Sequence, residues 1–147
     1  MKNRKNHPLR FLFIALLVAT ALCITGCSGK TADNAPPLTE IQTDGQSFGT
    51  GATAFSLTVV DAEGGEIHAE IHTDRKVVGE ALQELGLIGG EESPTGLYVK
   101  TVNGIMLDYD KDGAYWAFYV NDEYAQTGVD STEIVEGYSY AFKAEQS

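Results

Sequence analysis

Three sets of residues in this chain have the types and spacing that could do chemistry. Asp108-x-Asp110-x-Asp112-Gly113 repeats the first half of an EF-hand loop, where alternate carboxylates converge on calcium. The twelfth position is Tyr119, where such a loop needs a bidentate Glu, and the flanks read as strand. Asp and Gly also favour tight turns through their backbone preferences, so a hairpin turn explains the same residues. Glu66, His68, Glu70 and His72 alternate, which puts all four on one face of a strand. Alternate histidines can share a zinc ion, but they need a third ligand, and no cysteine follows Cys27. A solvated outer face is the simpler reading, and neither set is assigned a metal. Catalysis is not expected either. The sequence has no Gly-x-Ser-x-Gly elbow, no nucleophile–base pair and no glycine loop opening a helix to cradle phosphate. No cofactor is expected.

The third set is aromatic. Tyr98–Gly128 holds the only Trp and five of the seven Tyr. On Ala114–Val120, Trp116, Phe118 and Val120 share one face while Tyr115, Ala117 and Tyr119 share the other. One face must pack against the body. Tyrosine, with an apolar ring and a polar tip, suits a half-wet surface that is either structural or ligand-stacking. Tyr115, Trp116 and Tyr119 are therefore candidate ligand contacts.

The elements that would position them follow in order. Ala54–Val60 alternates Phe55, Leu57 and Val59 against small and polar residues, and Glu66–His72 alternates Ile67, Ala69 and Ile71. Asp61–Gly65 is the turn between these two strands. Thr73 or Asp74 caps a helix with Val77, Val78, Ala81, Leu82 and Leu85 on one stripe, and Gly86 ends it. Ile88–Thr95 reads as a surface loop and Gly96–Val102 as a strand, with Asn103-Gly104 the next turn. Ile105–Tyr109, a short loop at Asp110–Gly113, Ala114–Val120, a turn at Asn121-Asp122 and Glu123–Ala125 predict a three-stranded antiparallel meander. Tyr138–Phe142 is the last strand. The expected fold class is α+β: a β-grasp-like mixed or antiparallel sheet with one amphipathic helix packed across it.

The chain has 147 residues and a formal charge of −11. Its first 26 residues carry Lys2, Arg4, Lys5 and Arg10 and no acid, so the remainder stands at −15. Such a body is repelled by phosphate backbones and anionic headgroups, which argues against nucleic acid as a partner. Phe11–Leu22 is an apolar run that spans about 18 Å as a helix, short of the roughly 30 Å hydrocarbon core. It reads as a secretory signal. Ile24-Thr-Gly-Cys27 then resembles the lipobox of bacterial lipoproteins. That resemblance implies cleavage after Gly26, lipidation of Cys27 and anchoring to the bilayer at the extracytoplasmic face of a bacterial cell membrane. Residues 27–53, polar with Pro36-Pro37, read as the lipidated Cys and a flexible tether; residues 54–147 read as the folded domain.

Tyr98-x-x-Thr-Val-Asn-Gly104, Tyr115-Trp-x-Phe-Tyr-Val-Asn121, Gly128-Val-Asp and Gly137-Tyr-x-Tyr-x-Phe142 resemble the transcobalamin-like C-terminal domain family. That domain occurs in transcobalamin, intrinsic factor and bacterial lipoproteins, and the resemblance covers about Ala54 to Ala144. It implies a β-grasp ligand-binding domain, a contact role for Tyr115 and Trp116, and a matching loop from Thr127 and Gly128 to Asp130. In the carriers this domain closes one side of a corrinoid whose other side rests on a helical domain. The expected function is a membrane-anchored, non-enzymatic lipoprotein that binds a small ligand, such as cobalamin or another corrinoid, and presents it to a membrane transporter. The alternative is a surface module that binds another protein or a cell-wall polymer.

Overall fold

The computed structural model describes residues 37–147. The signal segment at residues 1–26 and the lipidation site Cys27 lie outside the described residues. The body is mostly strand, in mixed and antiparallel sheets with few helices. Among the described residues no helix is long and apolar enough to cross a membrane.

The two strands expected from period-2 patterning form as a hairpin, β2 (Thr53–Val60) and β3 (Glu66–Thr73), after a short β1 (Gln46–Gly49). Asp61 builds the turn, its Oδ1 accepting the Gly65 N–H at 2.7 Å. Phe55, Leu57, Val59, Ala69 and Ile71 are buried, the face that alternation predicted. Each fully buried large side chain such as Leu57 or Ile71 contributes roughly 1.5–3 kcal/mol. Helix α1 (Val78–Glu84) buries Val78, Ala81 and Leu82 in the same core. Gly86, at φ +70°, ends it: the Leu87 N–H reaches the Leu82 carbonyl at 2.9 Å and the Gly86 N–H reaches Gln83 at 3.0 Å.

The last strand, β9 (Ser139–Gln146), runs parallel to β2 on one side and antiparallel to β7 (Ala114–Val120) on the other. With the two-residue β8 (Glu123–Tyr124), the six-stranded sheet has the order β1-β3-β2-β9-β7-β8. Tyr140 of β9 is fully buried and meets Phe55 edge-on at 5.1 Å. Its hydroxyl donates to the Glu133 carbonyl at 2.9 Å and accepts the Val135 N–H at 3.0 Å, which explains a tyrosine at this depth.

Four expectations are corrected. The tether does not run to Thr53: β1 pairs parallel with β3, Ile41 is buried, and the Thr39 N–H bonds the Gly86 carbonyl at 2.8 Å. A four-residue edge strand with one aromatic, Phe48, and one lone isoleucine leave no periodicity to read. Thr73 and Asp74 do not cap α1. They accept the N–H groups of Arg75 and Ala52 instead, and the Val78 N–H at the helix start bonds the Thr132 carbonyl at 3.0 Å. Ile88–Thr95 is not a loop. β4 (Ile88–Ser93) pairs with β5 (Gly96–Val102), and β5 with β6 (Ile105–Met106), in a separate three-stranded sheet. β4 buries only Ile88 fully and bulges at Gly89/Gly90, so alternation is absent there. The meander is interrupted as well: Tyr109–Asp112 forms a one-turn helix, α2, between the two sheets, with Asp108 as N-cap and Gly113 at φ +63°. The Asn103-Gly104 and Asn121-Asp122 turns form as predicted, all four residues at positive φ.

Candidate functional site

Strand β7 is held along its length by β9, and the pleat sends its side chains to opposite faces. Trp116 and Phe118 point inward. Trp116 is 6% exposed, and its indole N–H donates to the Ile105 carbonyl at 3.2 Å, tying β7 to the small sheet. These two rings and Phe142 of β9 line a cleft of about 300 Å³; Leu97, Tyr98 and Val99 of β5 and the segment Tyr124–Val129 complete it. Thr127 and Gly128 stand in that segment. The candidates Trp116, Thr127 and Gly128 are therefore brought together.

Hydrogen bonds and one aspartate hold the segment in place. Ala125 N–H donates to Phe118 O at 2.9 Å, and the Thr132 hydroxyl donates to Gly128 O at 2.9 Å. Asp130 follows on the 3-10 turn Val129–Ser131 and accepts the Leu97 N–H at 2.7 Å, so one carboxylate fixes both the β5 wall and the segment. A Cβ at Gly79 of α1 would overlap the other Asp130 oxygen. Sequence reading missed Asp130 as a positioning residue, and Leu97 and Phe142 as lining. A glycine inside the first turn of an apolar helix was the available signal that something packs there.

Tyr115 and Tyr119 are elsewhere. They project from the opposite face of β7, where both hydroxyls donate to Glu145 of β9, Tyr115 at 3.0 Å. Hydrogen bonding to this carboxylate, with desolvation, pushes the Tyr119 phenol up to about 12 and raises Tyr115 as well. The Lys143 ammonium lies 4.5 Å from the Tyr119 ring centroid. Tyr109 and Tyr124 extend the strip, 6.3 Å from Tyr115 and 5.4 Å from Tyr119 between centroids. The five candidate contacts thus divide between two faces of one sheet, and no single small ligand could touch all five.

A family model described as a domain of unknown function, DUF4430, matches residues 76–145, which span α1 to β9 and include both faces of β7. No curated protein matches the sequence. Among solved structures, a Ruminococcus gnavus protein described as a candidate metal binding protein is 26% identical with a TM-score of 0.62. The match covers 65% of this chain and 99% of that one. Haptocorrin in complex with Cbi is 16% identical with a TM-score of 0.51, over 67% of this chain. This chain spans about a quarter of haptocorrin, 26% of its length. At 16% identity the likeness is one of fold. The expected transcobalamin-like resemblance holds at that level.

All the metal-ligating candidates except the Asp110 carboxylate have side chains engaged within the protein. Asp108 accepts the Asp110 N–H at 3.1 Å, and Asp112 accepts the Asp108 N–H at 2.8 Å. Their oxygens cap a helical turn. His68 lies between Asp44, 2.8 Å from its Nδ1, and Glu66, 3.0 Å from its Nε2. The bond to Asp44 raises the His68 pKa, and the same bond lowers that of Asp44. His72 pairs with Glu70 at 2.6 Å. Among the described residues no group of three or more His, Cys, Asp or Glu side chains is arranged to hold a metal ion. A larger hollow of about 510 Å³ lies between Thr50, Thr73 and the end of α1. The two-bond Arg75–Glu84 pair stands in its wall and Leu85 is its one apolar side chain, so it has no ring to grip a ligand.

Proposed function

We propose that this chain is a membrane-anchored, non-enzymatic lipoprotein whose cleft at Trp116 takes a small ligand and presents it to a membrane transporter. The observation that carries this reading is the cleft itself: the aromatic residues Tyr98, Trp116, Phe118, Tyr124 and Phe142 and the aliphatic Leu97, Val99 and Val129 line it, and Gln126 and Thr127 of the pinned segment add neutral polar side chains. That set holds a ligand by contact and has no acid–base pair to move a proton. The sheet order, with an antiparallel hairpin, a parallel β2–β9 pair and one helix between, fits a β-grasp. Haptocorrin's complex with Cbi makes a corrinoid the first ligand to test, and the Ruminococcus gnavus protein makes a metal ion the second. A corrin is larger than the cleft and would enter by one edge. Lipid on Cys27 would hold the body at the extracytoplasmic face of a bacterial membrane.

The test uses the full chain in non-ionic micelles, titrated calorimetrically with cobinamide. Gly128 has ordinary backbone angles (φ −68°, ψ 168°) and open space where a Cβ would stand, so Gly128→Trp can fill the cleft without backbone strain. Saturable one-to-one heat that weakens about tenfold or more in Gly128→Trp, a change of roughly 1.4 kcal/mol, is the expected result. A trace that is flat to about 1 mM, or binding indifferent to Gly128→Trp, would contradict the corrinoid reading of this cleft. Zinc and calcium titrated in the same way test the metal.

A further inference from the structure

Tyr115, Tyr119 and Glu145 lie across the sheet from the cleft, and α1 packs on the cleft side, so among the described residues no helix or second sheet of the core covers them. The hydrogen-bonding character of this strip is one-sided. Tyr115 and Tyr119 both donate their protons to Glu145, which leaves the phenol oxygens with lone pairs only. The carboxylate has about four acceptor positions, two of them taken. The strip therefore offers acceptors, one negative charge and ring faces, and it already holds a cation of its own, Lys143 over the Tyr119 ring. The described body adds twenty acids against five bases.

We infer that this face of β7 and β9 docks a polypeptide segment bearing arginine, whose guanidinium seats on Glu145 beside the Tyr115 and Tyr119 rings. Arginine fits better than lysine because its planar fork matches a carboxylate and stacks on an aromatic ring. A polypeptide fits better than a free amine because the strip is a flat sheet surface, where a small cation has no walls to hold it. Tyrosine and arginine are also the residues that interfaces concentrate. The acidic body would draw such a segment in from a distance. Tyr124, at the end of the strip, also lines the cleft, whereas Tyr115, Tyr119 and Glu145 do not.

The probe is acetyl-(Gly-Arg)3-amide, titrated into the full chain in non-ionic micelles beside its citrulline analogue, which keeps the shape and loses the charge. One-to-one binding of the arginine peptide is expected, with the citrulline peptide at least about tenfold weaker. Glu145→Gln should lose about tenfold or more. Glu70→Gln is the control for general acidity. Glu70 is level with Ser139 through Ser56, and Glu145 stands six residues further along β9, roughly 20 Å away. That is about two Debye lengths at 0.1 M salt, so Glu70→Gln should change the affinity less than about twofold. Bound peptide should also lower the tyrosine titration midpoint read at 295 nm, because the guanidinium offsets the charge that suppresses ionisation. Tyr115→Phe retains the ring and the carboxylate and should retain binding. Equal affinity for the two peptides, equal losses in Glu145→Gln and Glu70→Gln, or no heat up to about 1 mM would each overturn the assignment.

Discussion

Strand β7 carries two chemistries one residue apart. Its inner residues, Trp116 and Phe118, are buried rings that belong to the core and to the wall of a cleft at once. Its outer residues, Tyr115 and Tyr119, are half-buried rings whose hydroxyls converge on one carboxylate. The first surface is concave and neutral, suited to a molecule that can leave water; the second is flat and charged, suited to a partner that brings an opposite charge. Adjacent positions in a strand are thus poor evidence of a shared site, because the pleat separates them by the thickness of the sheet.

The contrast can be broken most sharply by truncation. Trp116→Ala should cost about 3–5 kcal/mol, since it empties a packed position and removes the tie to Ile105. Tyr119→Ala, on the open face, should cost about 1 kcal/mol. Urea unfolding of both variants measures the difference; equal costs would mean that the two faces are not distinct in packing. Asp130→Ala comes next. It leaves the half-buried Leu97 N–H without its acceptor, should cost about 1–3 kcal/mol, and should weaken ligand binding in the cleft by loosening two walls together. Unchanged stability would show that Asp130 does not hold those walls.

The smallest effect is on the outer face and is spectroscopic. Tyr119 should titrate near 12 in the native protein, and Glu145→Gln should bring it back toward 10. The sign follows from the raised value. Stability from this contact is fully present below the unfolded phenol pKa of about 10 and is lost as pH rises from there through about 12. A Glu145→Gln variant with an unaltered tyrosine titration would mean that the phenol is not bonded to this carboxylate.

Much of the scaffold was legible in sequence because its signals are local. Alternation in β2 and β3, the apolar stripe of α1, Gly86 and the Asn-containing turns each act over a few residues. What escaped was set by tertiary pairing. β4 has glycines and acids where alternation would be read, and β1 becomes a strand only because β3 offers an edge. At the site, the face assignments on β7 were readable from the period of two, but not which face would turn to the core. That Tyr115 and Tyr119 answer to Glu145 could not be read, because a register linking residues 26 and 30 positions apart leaves no local mark. Asp130 was hidden for the same reason, its partners Leu97 and Gly79 being brought together by the fold.

The most direct measurement is an amide and indole chemical-shift map of the full chain in micelles with cobinamide. If the cleft is the ligand site, the Trp116 indole N–H and the amides of Ala125 to Gly128 should move while those of Lys143 and Glu145 stay. Shifts confined to the tyrosine strip or to the Arg75–Glu84 hollow, or none up to about 1 mM, would contradict it.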